Sequence, residues 1–172
     1  MDSGTITTTE ETGNAPQRRP AGPTVSVNEA VVRALAIGPG SSPAEHTIDI
    51  TSVGRRSGIP RRIEVWFHRV DGRWYITGVP GPRGWQANLR ANPRFTVHLK
   101  HGVTVDLPAT ARPVDEQTRR RVITAVLDLQ NRPQIAARGT PRQDPGKWLA
   151  GSPLVEIVFD DKELMTAASA RP

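Results

Sequence analysis

The sequence predicts an α+β protein that is mainly β: a six-stranded antiparallel barrel with two to four flanking helices. Three observations carry this. From Thr47 onward, apolar residues recur at every second position, the period of a half-buried strand. The strands are short and joined by turn pairs such as Asp71-Gly72 and His101-Gly102, so successive strands return as hairpins. Six half-buried strands with short connections bury their apolar faces most simply by closing on one another.

The elements follow in order. Residues 1–23 are rich in Thr, Gly and Pro and almost free of large apolar side chains. Such a segment cannot offset its ordering entropy and is expected to be a disordered tail. The domain proper is expected over residues 24–162, with a flexible C-terminal tail over 163–172. A helix over Val27–Ala36 places Val27, Val31, Ala34 and Leu35 at helical spacing, and Gly38-Pro39-Gly40 stops it. Ile48 and Ile50 then alternate with Asp49 and Thr51. Ile63, Val65 and Phe67 alternate with Glu64, Trp66 and His68. Trp74, Ile76 and Gly78 continue on the returning strand. A short helix, Arg83–Asn92, ends at Asn92-Pro93 because a residue before proline is pushed out of the helical region. Phe95, Val97 and Leu99 form the next strand; Val103, Val105 and Leu107 form its partner. A longer helix, Asp115–Arg132, has Asp115 as its N-cap and Val122, Val126 and Leu129 as its buried stripe, before Pro133 terminates it. Leu154–Phe159 is the last strand.

The chain has 172 residues, enough for one domain with a real core, and 36% of them are hydrophobic. Lys and Arg total 23 against 17 acids, a net charge of +6, which favours anionic partners. There is no cysteine, so disulfides, thiolate nucleophiles and zinc–thiolate sites are excluded. No apolar run is long enough for a transmembrane helix. Met1–Pro23 lacks the apolar stretch of a secretory signal, and a cytoplasmic protein is the simplest reading.

The chemistry is concentrated in Gly54-Arg55-Arg56-Ser57-Gly58-Ile59-Pro60-Arg61. This loop joins two strands, leaving its N–H groups to face a ligand, and its arginines and hydroxyl make a cradle for phosphate. Gly54 and Gly58 allow positive φ and the close approach of an anion. Arg55 and Arg56 cannot both point the same way if the chain is extended there. Some twenty residues on, Trp85 and Asn88 share one face of the short helix, an indole beside a carboxamide, suited to a planar ligand with one polar edge. The preceding Gly78-Val79-Pro80-Gly81-Pro82 is stiff and nearly free of side chains, so an aromatic ring system can lie flat against it.

Other chemistries fail. No Gly-Lys-Ser/Thr opens a helix, so a nucleotide triphosphatase is not indicated. Gly54-Arg55-Arg56-Ser57-Gly58 has one residue too many for a nucleophile elbow. His98 and His101 have poor metal geometry and read as surface residues, so no metal is expected. Arg119-Arg120-Arg121 reads as a solvated helix face. Tyr75, the only tyrosine, is a candidate proton donor, though a structural role is the simpler account. The catalytic residues are otherwise unassigned.

Thr51-Ser52-Val53-Gly54-Arg55-Arg56-Ser57-Gly58-Ile59-Pro60-Arg61 followed by Trp85-Gln86-Ala87-Asn88-Leu89-Arg90-Ala91-Asn92-Pro93 resembles the deazaflavin-dependent nitroreductase family. These are split-barrel oxidoreductases related to flavin-binding pyridoxamine-phosphate oxidases. The resemblance covers about Thr47 to Val105. It implies a six-stranded split β-barrel binding coenzyme F420. Arg55, Arg56, Ser57 and Arg61 would hold the phosphate and acidic glutamyl tail, with Trp85 and Asn88 bordering the site. It also implies hydride transfer between the reduced deazaflavin and a quinone, nitroaromatic or activated alkene. Two departures stand out. The family's longer loop before the Trp is contracted here to Gly78–Gly84, and its C-terminal tyrosine has no counterpart, which leaves proton donation to solvent or another group.

The fit is physical as well: a phosphodiester with several glutamates is strongly anionic, and arginine pairs with it without a pKa liability. The hydride chemistry would belong to the cofactor, the barrel supplying position and excluding water. The alternatives are an FMN-binding enzyme on the same barrel, a non-catalytic cofactor carrier, and, less favoured, a nucleic-acid-binding barrel stacking bases on Trp66 and Trp74. A small-molecule substrate is expected, and a homodimer through an outward Trp66 is plausible by analogy.

Overall fold

The computed structural model describes residues 27–136 and 141–170; the expected N-terminal tail lies outside the described residues. Six strands, β1 (Thr47–Val53), β2 (Pro60–Val70), β3 (Arg73–Thr77), β4 (Arg94–Leu99), β5 (Val105–Arg112) and β6 (Leu154–Phe159), close into an antiparallel barrel in the order β1-β2-β3-β6-β5-β4. The expected mainly-β fold class is therefore observed. Strict alternation fills the interior: Ile48, Ile50, Phe67, Ile76, Val97 and Ile157 are all buried there. The β2–β3 hairpin turns on two residues, Asp71 and Gly72, with φ of 51° and 71°, the left-handed pair that matches strand twist.

Helix α1 (Val27–Leu35) caps one region of the barrel, and Trp74, fully buried, donates its indole N–H to the Leu35 carbonyl at 2.8 Å. Helix α3 (Gly84–Ala91) lies against β1. Helix α4 (Glu116–Gln130) is capped as expected, Asp115 accepting from the Thr118 N–H at 2.7 Å. With α6 (Pro145–Gly151) it builds a second apolar cluster outside the barrel, containing Tyr75, Val122, Ile123, Val126 and Trp148.

The structure corrects several sequence expectations. Helix α2 (Pro43–His46) is announced by a capping box: the Ser42 hydroxyl accepts from the Glu45 N–H, and Glu45 returns a 2.7 Å acceptor to the Ser42 N–H. A short turn, α5 (Pro133–Ala136), follows α4. Residues expected as a flexible C-terminal tail instead form α7 (Lys162–Ser169). Asp161 caps it, and Leu164 and Ala168 sink into the barrel core, which gives the segment enough apolar burial to order it. Strand β5 runs from Val105 to Arg112, later than expected. Pro108 is tolerated because pairing with β6 ends at Ala109↔Phe159, and its carbonyl accepts from the Asp160 N–H.

Candidate cofactor cleft

Between Val53 and Pro60 the chain leaves β1 and re-enters β2 as a tight turn. Gly54 donates to the Ile59 carbonyl at 2.9 Å, Gly58 donates to Gly54 at 2.8 Å, and the Ile59 N–H reaches the Ser57 hydroxyl oxygen at 3.3 Å. Three loop N–H groups thus close the loop on itself and the Arg55 N–H is taken by Asn88, while those of Arg56 and Ser57 have no hydrogen bond among the described residues. Because Ser57 Oγ accepts within the loop, its own hydrogen is free to point outward. Gly58 has φ of 66°, as expected, but Gly54 does not have positive φ. Gly54 is required for space: a Cβ there would lie 2.5 Å from Ser57 Oγ.

Helix α3 clamps this loop. Asn88, buried, accepts the Arg55 N–H on Oδ1 at 3.1 Å and directs Nδ2 to Ser52 Oγ at 3.4 Å. Its carboxamide is committed to positioning the loop rather than offered to a ligand. Trp85, half-buried against the core, presents its remaining surface alongside.

Loop and helix enclose a cleft of about 470 Å³. Its loop side is formed by Gly54, Arg55, Arg56, Ser57 and Arg61, its helix side by Gly84, Trp85 and Asn88. Arg55 and Arg56 line the same cleft, because the segment is a turn and not the extended chain that would have splayed them. Sequence reasoning missed Ser52 and Ile63 in the lining. Ser52 was findable: it is a polar residue on the inward phase of β1, after Ile48 and Ile50. Arg55 also lines a second hollow of about 450 Å³ on the far side of α3, with Arg83 and Arg90.

The electrostatics of this cleft are one-sided. Among the described residues, Arg55, Arg56 and Arg61 take part in no ion pair, and all three are exposed. Four basic residues along the sheet are paired instead, Arg62 with Asp49, Lys100 with Asp49 and Glu64, Arg73 and Arg112 with Glu156, while Arg94 on β4 takes part in no ion pair among the described residues. Three uncompensated guanidinium groups around one concavity repel one another and attract an elongated anion.

Of the remaining expected site residues, Gly78 and Gly81 lie outside this cleft. Gly81, with φ of 118°, donates to the Gly151 carbonyl at 3.0 Å and pins the contracted loop to α6. Gly78 lines another cavity, of about 280 Å³, with Trp66, His68, Val79, Gln130 and Trp148. Tyr75 is buried beneath α4 and lines neither cavity; burial raises its phenol above its ordinary range. His98 is not a surface residue: it is buried, with Nδ1 2.6 Å from Asp106 and Nε2 2.7 Å from Thr51 Oγ1. Trp74 is inside the barrel and unavailable for base stacking, and Trp66 already stacks on His46 at 5.9 Å. No helix among the described residues is long and apolar enough to cross a membrane.

Barrel and cleft together define a small β-barrel protein with a basic cleft between the β1–β2 loop and α3. Residues 29–145 match the F420H2-dependent quinone reductase family, and the chain belongs to that family. It is an F420-dependent oxidoreductase, and coenzyme F420 is its cofactor. Among solved structures it is similar to a conserved hypothetical protein from Mycobacterium tuberculosis, at 16% identity over 80% of this chain and 82% of that one, TM-score 0.56. It is also similar to a Listeria innocua protein named for pyridoxamine 5′-phosphate oxidase, at 13% identity over 79% and 95%, TM-score 0.51. At these identities the likenesses speak for the barrel alone. A search of curated proteins finds no match.

The residues present fit this cofactor. Its phosphodiester and glutamate carboxylates are acceptors only, and the cleft offers guanidinium donors, a free hydroxyl hydrogen and an indole face, with no carboxylate among its lining residues.

Proposed function

We propose that this protein reduces a planar electrophile, a quinone first and a nitroaromatic or activated alkene by the same chemistry, at the expense of reduced coenzyme F420. The bare arginines of the β1–β2 loop carry this reading. Arg55, Arg56 and Arg61, with Ser57, would hold the phosphate and glutamyl chain, and Arg83 and Arg90 extend the basic track beyond Arg55. Trp85 borders the anion site, and Asn88 keeps the loop in register. The cavity beside Gly78, with Trp66 and Trp148 in its walls, suits the flat ring system and its acceptor. When bound, the cofactor supplies the hydride; the chain supplies orientation and a largely apolar enclosure.

FMN carries a single phosphate and leaves arginines unused, which ranks it below F420. A carrier would need the anion cleft but not a second chamber lined by indoles, and that chamber favours an enzyme. The test is to add menadione to purified protein with reduced F420 and follow the return of deazaflavin absorbance. Steady catalytic oxidation supports the reading. Stoichiometric binding without turnover, for quinones, nitroaromatics and enones alike, would reduce the protein to a carrier.

A further inference from the structure

Helix α2 and strand β2 bring two histidines together in the layer outside the barrel. His46 is 2% exposed and His68 3%, and their rings lie 5.5 Å apart. His46 Nδ1 is 3.0 Å from the Phe67 carbonyl oxygen. A carbonyl only accepts, so Nδ1 carries the proton and Nε2 presents a lone pair. That Nε2, and both ring nitrogens of His68, are buried without a hydrogen-bond partner among the described residues. Unsatisfied buried nitrogens are rare and ask for a use.

Position supplies one. His68 belongs to the walls of two cavities. One is the Gly78 chamber with Trp66 and Trp148. The other, of about 210 Å³, is lined by His46, Asp128 and Arg132 and lies on the α4 side. Both of its nitrogens are closed to solvent in this structure, so an imidazole in the walls of two chambers passes protons between them only when a ligand or water moves into reach of each nitrogen.

We propose that His68 is the proton-transfer residue of this reductase. It gives an N–H proton to the oxygen of a carbonyl acceptor in the Gly78 chamber and is reprotonated at its other nitrogen from the outer cavity. The inference rests on the chamber's assignment above. A quinone that gains a hydride (one proton and two electrons) from the reduced cofactor becomes a hydroquinone monoanion. One N–H bond of His68 breaks as an O–H bond forms on that oxygen. In the same step a water of the outer cavity gives a proton to the opposite nitrogen and is left as hydroxide, so no imidazolate forms. The imidazole ends neutral in its other tautomer, and proton exchange with water restores the donating tautomer before the next turnover. The quinone is reduced by two electrons, the cofactor is oxidised by two, and one solvent proton is consumed.

A neutral imidazole is suited to this role, acting as a hydrogen-bond donor to developing negative charge. Burial first, and neighbouring His46 second, push the His68 imidazolium down to about 3. The groups that face it are His46 from α2, Tyr75 as its cross-strand partner on β3, Asp128 and Arg132 across the outer cavity, and Arg69 beside it on β2. His68 therefore contributes no ionisation to the rate between pH 5 and 8.

The test begins with wild-type protein labelled with ¹⁵N-histidine and titrated with menadione. Tryptophan quenching reports occupancy of the chamber, and the His68 ring signals, assigned by their loss in H68Q, report contact. We expect quenching together with movement of the His68 nitrogens. H68Q should keep menadione quenching and KM within about threefold while kcat falls about 100-fold, the usual size of an acid–base contribution. Its thermal unfolding shows whether the variant is folded, and the wild-type spectra stand without it. Quenching with unmoved His68 signals, or H68Q turning over within about threefold of wild type, overturns the proton role and leaves the chamber intact. Absence of quenching in the wild type overturns the chamber and the inference with it.

Discussion

Around strands β1 and β2 two groups of basic side chains have opposite surroundings. On their outer face Arg62 bonds Asp49 at 3.0 Å, and Lys100 bridges Asp49 and Glu64 at 2.6 and 2.5 Å. Lys100 beside Asp49 holds that carboxyl below its usual range, and Asp49 and Glu64 in turn raise the Lys100 ammonium. Where the same strands end, Arg55, Arg56 and Arg61 meet no acid among the described residues. The face has charges that complete one another within the chain. The loop has charges left without an acidic partner among the described residues.

The largest test of this contrast is the double substitution Arg55→Ala with Arg56→Ala. Two charge-assisted contacts at about 2 kcal/mol each predict a loss of F420 affinity of roughly a thousandfold by calorimetric titration. Exposed loop arginines support little packing, so the urea midpoint should hardly move. A thousandfold loss accompanied by unfolding would erase the distinction between the two regions.

The second test concerns the buried, unsatisfied His68. Unfolded, it takes a proton near pH 6.5; folded, it resists protonation until about 3. The unfolded state thus binds the extra proton across that window, and stability falls as pH drops below 6.5 by about 1.4 kcal/mol per unit. Urea denaturation at pH 5 should show about 2 kcal/mol less stability than at pH 7 from this group. His68→Phe should flatten the difference.

Asn88→Ala comes next. It removes the acceptor for the Arg55 N–H and the donor to Ser52. A cost of about 1–2 kcal/mol in stability is expected, with a comparable tenfold weakening of F420 binding as the loop loosens. Smallest is Lys100→Ala: an exposed network of this kind contributes about 1 kcal/mol or less, and cofactor affinity should not change. A change in affinity there would show that the two regions are coupled.

Much of this was legible in the sequence. Alternation at Ile48/Ile50 and Phe95/Val97/Leu99 places the strands because a strand's two faces meet different solvents. The arginines of residues 55–61 are legible because they crowd one loop. What escaped depends on tertiary placement. Nothing local says that Asn88 latches onto Arg55, or that the rings of His46 and His68, on separate elements, come within 5.5 Å. The α7 segment looks like a tail until Leu164 and Ala168 find the core. Helix α2 was readable from Ser42 and Glu45 but is only four residues long. Trp74 and Trp66 read alike by composition, but strand phase separates them: Trp74 shares the inward phase of Ile76, and Trp66 the outward phase of Glu64 and His68.

The account stands or falls on titrating the wild-type protein with coenzyme F420 and, separately, with FMN, at low and moderate salt. It predicts saturable F420 binding that exceeds FMN binding and weakens as ionic strength rises, since the receiving arginines are exposed and uncompensated. Tighter FMN binding, or F420 affinity indifferent to salt, would contradict it.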